Sequence, residues 1–276
     1  MSSWTSWRGA TVASEKEFGA VDGSSILSGF WNMLRQEDRR WRNTRRWLVQ
    51  SAVWLLLLNG IFAMVLYFDS NVQVGVEGAT PGPVELFFIL MGSMTPFGVM
   101  ILTQNDIVME KQSGTAEWVL SAPLSRESFI LSKLVADSAW IVAVLVLLQG
   151  AAFDVILIAF GRQAVPVVNL LGGLAIQGLH LIFWITLSLV LGAFFKGRGP
   201  VLGIPIVLLA FQDLIAEFGR IYVPWIPLLL PKRLPELAAL VAAGEPLYSA
   251  VPLMVATAWS IVFTLAAIWR FKREEF

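Results

Sequence analysis

Cysteine is absent from this 276-residue chain, histidine occurs once, and only 14% of the residues are charged. The missing cysteine excludes disulfides, thiolate metal ligands and cysteine nucleophiles, and leaves the redox compartment open. No His/Asp/Glu cluster has metal-ligand spacing, the eight Met are scattered, and the lone His180 sits inside an apolar run, where a hydrogen bond within a bundle is expected rather than a metal. Also missing is a G-x-x-x-x-G-K-[ST] loop, whose backbone N–H groups wrap nucleotide phosphates. Lys196-Gly197-Arg198-Gly199 is a brief basic turn that reads as a topology signal instead. The chain is therefore not expected to be an enzyme. Shortage of charge argues against a water-soluble domain, because such domains are about 25% charged and 45–50% apolar.

What is there instead is oil: 57% hydrophobic residues, twelve Trp and eighteen Phe, with a mean hydropathy of +0.70. That load suits a bilayer with aromatic belts at its interfaces. About 20 apolar residues cross the hydrocarbon as a helix. Six runs satisfy this, Trp47–Phe68, Val84–Gln104, Leu134–Phe160, Leu170–Phe195, Pro200–Phe218 and Leu247–Trp269. The expected fold class is an all-α integral membrane protein with six transmembrane helices. The expected organisation is a polar tail over 1–23, an amphipathic interfacial helix over 24–46 and a six-span domain over 47–276. The first apolar run follows a long polar stretch and is too extended for a secretory signal.

The basic residues orient the chain. With the N-terminus in the cytoplasm, sixteen of the twenty Lys and Arg fall on the inner side, leaving only Arg162, Arg220, Lys232 and Arg233 outside. The positive-inside rule then puts both termini in the cytoplasm of a cell whose inner or plasma membrane holds the protein. Ahead of the first run, Leu27, Phe30, Trp31, Leu34 and Trp41 recur at helical spacing, while Arg35, Arg39, Arg42 and Arg46 lie largely on another side. That pattern predicts a helix at the headgroups, apolar side in acyl chains and arginines toward anionic lipid. It serves either as an elbow leading into the first span or as a plain juxtamembrane anchor.

Between the second and third runs the chain turns polar: "EKQSGTAEWVLSAPLSRES". Ser113 and Thr115 are N-cap residues, Glu117 suits the helix dipole, and Ala116, Val119 and Leu120 form one small apolar face. Pro123 stops that helix, and Ser125 with Glu127 starts the next. One or two turns of helix are unstable alone, so the segment needs a surface to pack on, unless it is an ordinary loop with good turn chemistry.

The segment "MEKQSGTAEWVLSAPLSRESFILSKL" resembles the signature of permease subunits of ATP-binding-cassette transporters of the ABC-2, or type V exporter, family. Glu110, Gly114, Thr115, Glu117, Leu120, Pro123, Arg126 and Lys133 stand at matching places; Trp118-Val119 replaces a second aliphatic residue and is a mild departure. The chain's end, "GEPLYSAVPLMVATAWSIVFTLAAIWRFKREEF", is similar to the family's last span and tail. The resemblance implies a cytoplasmic coupling helix, carried by Glu110, Ser113, Gly114, Thr115, Glu117, Trp118, Leu120, Pro123 and Arg126, that docks on a separate ATPase subunit. That partner would bind ATP and Mg, and this chain would hold no cofactor. A second permease chain, identical or homologous, would complete the pathway, with membrane lipid but no nucleic acid as a further partner.

After the fifth run, "GRIYVPWIPLLLPKRLPELAALVAAGEPL" is apolar but broken by Pro224, Pro227, Pro231 and Pro235. The stretch from Pro235 to Ala243 suits a short helix, with Pro at its start and Gly244 just past its end. It is too short to cross, so it either re-enters the membrane or rests on the outer interface. The resemblance implies extracytoplasmic re-entrant helices capping an exit. Just before it, Asp213 and Glu217 lie one turn apart on one face. They either line the outer exit or, with Arg220 three residues on, form a structural ion pair. The function expected is export driven by ATP; the alternative is an ion-coupled secondary transporter, which would show midplane ion ligands on broken helices.

Overall fold

The computed structural model describes residues 29–71, 81–104, 107–112, 125–223 and 225–273. Its described elements are helices, with no strand among the described residues. Helix α1 covers Phe30–Asn43, α2 Arg46–Phe68, α3 Pro83–Thr103 and α4 Val108–Gln112. Helix α5 covers Arg126–Ala159, α6 Val167–Phe194, α7 Arg198–Tyr222, α8 Ile226–Leu229, α9 Arg233–Ala242 and α10 Val251–Lys272. Six helices are long and apolar enough to cross a membrane, and the architecture is that of a multi-pass membrane protein. A helix satisfies all its backbone groups internally, which hydrocarbon requires.

The spans sit where the apolar runs place them, and the third is longer than its run. Helix α5 has 34 residues, roughly 51 Å at 1.5 Å per residue, against about 30 Å of hydrocarbon. Four of its five charged residues, Arg126, Glu127, Lys133 and Asp137, fall in the first twelve positions, so this end projects from the membrane; the fifth, Asp154, lies near the other end and accepts from the Val165 N–H at 2.9 Å. Ser125 caps it, its hydroxyl accepting from the Ser128 N–H at 3.1 Å.

Helix α6 is the hub, packed against α3, α5, α7, α9 and α10. Two glycines let the short α9 wedge between α3 and α6. A Cβ on Gly92 would fall 2.2 Å from Pro235 Cγ, and one on Gly173 would fall 2.6 Å from the Ala238 carbonyl oxygen. Consequently Leu234, Leu237 and Ala238 on α9 are fully buried. Helix α9 starts two residues earlier than the sequence predicts, because Leu234 N–H already closes a turn on Pro231 at 3.0 Å. It ends at Ala242, one residue before the expected Ala243, and Gly244 follows just past the end with a φ of 82° that is open to glycine at little cost.

Candidate functional site

One end of the bundle is built around the two stems of the polar insert. Residues 113–124 lie outside the described residues, so the structure places none of Ser113, Gly114, Thr115, Glu117, Trp118, Leu120 or Pro123. The stems are described: α4 carries Glu110 into the insert, and α5 receives the chain at Arg126.

Lys133, on the second turn of α5, has no solvent exposure. Its Nζ donates to Glu110 Oε1 at 2.7 Å and to Glu37 Oε1 at 2.6 Å. Arg40 stands 3.5 Å from Glu37 and 3.7 Å from Glu110, so two cations face two carboxylates. One ion cluster thus joins both stems to α1. Such a cluster adds little net stability, since desolvation offsets attraction; its effect is to fix position.

A second layer extends the joint. Trp41 Nε1–H donates to Asp137 at 3.0 Å and Trp140 Nε1–H to Asp38 at 3.1 Å, crossing between α1 and α5. The two indoles stack 6.0 Å apart and nearly parallel. Glu37 meets Lys133 and, one turn on, Trp41 meets Asp137, both 96 residues apart, so the two helices advance together in the same direction. The buried stripe of α1 is Met33, Glu37 and Trp41, with Phe30 and Leu34 half-buried beside it. Trp31, Arg35, Arg39 and Arg42 point outward.

The stems also hold the ends of other spans on the same side of the bundle. Lys111 Nζ donates to the Ala193 carbonyl at 2.7 Å and Gln112 Nε2 to that of Lys196 at 2.9 Å, at the end of α6. Arg126 Nη1 donates to the Lys272 carbonyl at 2.6 Å, at the end of α10. Lys272 pairs with Glu127 at 2.5 Å, and Phe129 stacks on Phe271 at 4.9 Å. The last carbonyls of a helix lack intrahelical partners, so cations there satisfy them and complement the dipole. Together the two stems are bonded to α1, α6 and α10.

At the opposite end, Asp213 and Glu217 both project outward from α7. Glu217 pairs with Arg220 at 2.5 Å, and Asp213 pairs with Lys232 next to α9. The pairing alternative for Glu217 is therefore realised, while Asp213 ties α7 to the segment that follows it.

Within the membrane, Trp184 Nε1–H donates to His180 Nε2 at 2.9 Å, and the Gln177 amide lies 3.3 Å from Nδ1, so His180 is held by bundle hydrogen bonds. Two π-helical turns, Leu55–Asn59 and Ala143–Leu147, interrupt α2 and α5. Gln149 ties them together, donating to the Val144 carbonyl at 3.0 Å and accepting from Asn59 Nδ2 at 2.7 Å.

Sequence reasoning missed Glu37, Arg40, Lys111 and the crossed Trp/Asp pairs. One signal was available for Glu37: an acid one turn from both Met33 and Trp41, on the apolar arc of α1. Nothing local marked Asp137 as its neighbour's partner.

Residues 56–276 match a family model, DUF2705, described as a protein of unknown function. The match begins inside α2, so α1 precedes it. No curated protein matches the chain.

Proposed function

The chain belongs to the DUF2705 family, and we propose that it is the permease subunit of an ATP-driven exporter. Both termini lie in the cytoplasm in this reading, and the segment 110–126 couples the spans to a separate ATPase subunit, which binds ATP and Mg. A second permease chain completes the pathway. The observation that carries the reading is the joint at the base of the insert. A polar segment too short to stand alone springs from two stems that are ion-paired to each other through Lys133 and grip the ends of α6 and α10. A push on that segment is delivered to several spans at once, as coupling requires.

Two finer parts of the reading have their own support. Helix α1, with Arg35, Arg39 and Arg42 outward, acts as the elbow at the inner membrane surface. Helix α9 acts as a re-entrant cap: its contact with Gly92 lies nine residues below the outer end of α3, about 13 Å at helical rise.

The test is co-purification and transport. The chain, expressed with its ATPase subunit, should retain that subunit, and Glu117→Lys or a bulky replacement of Gly114–Thr115 should release it while leaving membrane insertion intact. Unchanged retention across those variants defeats the coupling assignment. The ion-coupled alternative draws on the buried polar pairs Asn59–Gln149 and Gln177–His180. Uptake into inside-out vesicles that follows an ion gradient and ignores ATP would favour it.

A further inference from the structure

The arginines of α1 fall into two sets that the sequence alone does not separate. Arg40 is committed to Glu37 and Glu110, and Arg42 to Asp38. Arg35 and Arg39 have no acidic partner among the described residues, although most cations at this end of the molecule are engaged. The two project from successive turns, on the arc opposite the buried Met33, Glu37 and Trp41. With Asn32 and Gln36 they line a shallow cleft of about 410 Å³. Among the described residues its rim holds hydrogen-bond donors and no carboxylate, because Glu37 is turned inward and Asp38 is held by Arg42 and Trp140.

From this the geometry points to a binding site for the phosphate headgroup of an anionic phospholipid, made by Arg35 and Arg39 with Asn32 and Gln36. Guanidinium groups one turn apart suit a phosphate, which each can grip in bidentate fashion. Position selects a lipid as its source. Arg39 lies seven residues before Arg46, where the first span begins, across a two-residue break in the helix at Thr44 and Arg45. The headgroup layer extends roughly 5–8 Å beyond the hydrocarbon, and long arginine side chains extend their reach toward it. Arg45 and Arg46 at the junction add charge, and four arginines beside a span make a basic cluster of the kind that gathers anionic lipid. The proposal rests on the inward placement of α1 given above and on no part of the transport reading.

The experiment uses the full chain purified in a neutral detergent, with phosphatidylglycerol or phosphatidylcholine added and retained lipid counted by native mass spectrometry. Phosphatidylglycerol should be retained preferentially. Arg39→Gln should weaken that retention roughly fivefold and Arg35→Gln/Arg39→Gln roughly 25-fold, at about a fivefold effect per arginine near the lipid surface. Arg42→Gln removes the same charge as Arg39→Gln but from a residue already neutralised by Asp38, and should change it little. Equal retention of the two lipids, or equal loss in Arg39→Gln and Arg42→Gln, overturns the site. Displacement by millimolar inorganic phosphate would make it a site for free anion and overturn the lipid assignment. So would unchanged lipid retention with loss of the ATPase subunit from the Arg35→Gln/Arg39→Gln variant, which would make this face a protein-docking surface. Reporter labelling of the termini checks the orientation separately, so the two failures are distinguishable.

Discussion

Lys133 shows how one residue can hold several elements without adding much stability. It is wholly buried, and its ammonium sits between Glu37 on α1 and Glu110 on the entry stem. Lys133→Met has nearly the right length but leaves two carboxylates facing Arg40, at 3.5 and 3.7 Å, without the buried ammonium between them. Breaking a buried pair by removing one partner costs about 3–5 kcal/mol. The expected outcome is a clearly lowered melting temperature of the detergent-purified chain and faster proteolysis within α1. Adding Glu37→Gln to Lys133→Met removes one stranded charge and should recover part of the loss. A Lys133→Met protein that melts with the parent would show that the cluster positions nothing. The role of Lys133 was half legible: its place in the insert's pattern marked it, but its partner Glu37 was not, because that pairing spans 96 residues and leaves no local periodicity.

At the scale of elements, hydropathy made the six spans readable, since each must offer about 20 apolar residues to lipid. Their ends were less so. The first turns of α5 are polar, so hydropathy does not include them; their start was legible instead from Ser125, which caps the helix as expected, whereas the packing of α1 along them was not. Helix α9 was readable through Pro235 and Gly244, yet its seat was not, because the glycines that admit it lie on α3 and α6. That seat gives a sharp prediction. Gly173→Ala sets a methyl against the backbone oxygen of Ala238, and Gly92→Ala sets one against the Pro235 ring. Each should destabilise by about 1–3 kcal/mol, the usual cost of overpacking. Gly60→Ala, where nothing lies within 4 Å of the new carbon, should be neutral or slightly stabilising in its helix. Three equal thermal shifts would mean that α9 does not fill this wedge. Separately, Asp213→Asn should release Lys232, and with it the segment after α7, from α7, while Glu217→Gln breaks only a local pair with Arg220. If these carboxylates belong to the outer exit, both variants should assemble normally and export less; export at the parent rate would leave them purely structural.

For the whole molecule, the coupling assignment depends on which side of the membrane the insert faces, and the missing cysteine makes that measurable. A cysteine introduced anywhere is unique in this chain. Gln163 is exposed between α5 and α6, and Gly197 is exposed between α6 and α7, at opposite ends of the same central helix. The Gln163 side chain makes no hydrogen bond among the described residues, and no heavy atom approaches a Cβ on Gly197 within 4 Å. The charge distribution puts Gln163 outside and Gly197 inside, on the side of Lys111, Lys133 and the insert stems. A membrane-impermeant maleimide applied to intact cells should therefore label Gln163→Cys at once and Gly197→Cys only after permeabilisation. Helix α6 is packed on five neighbours, so the two ends cannot report different orientations of a loosely held segment. The reverse pattern would turn the ion-paired stems, the basic face of α1 and both termini outward. An ATPase subunit could then reach none of them, and the exporter reading would fall with the topology it stands on.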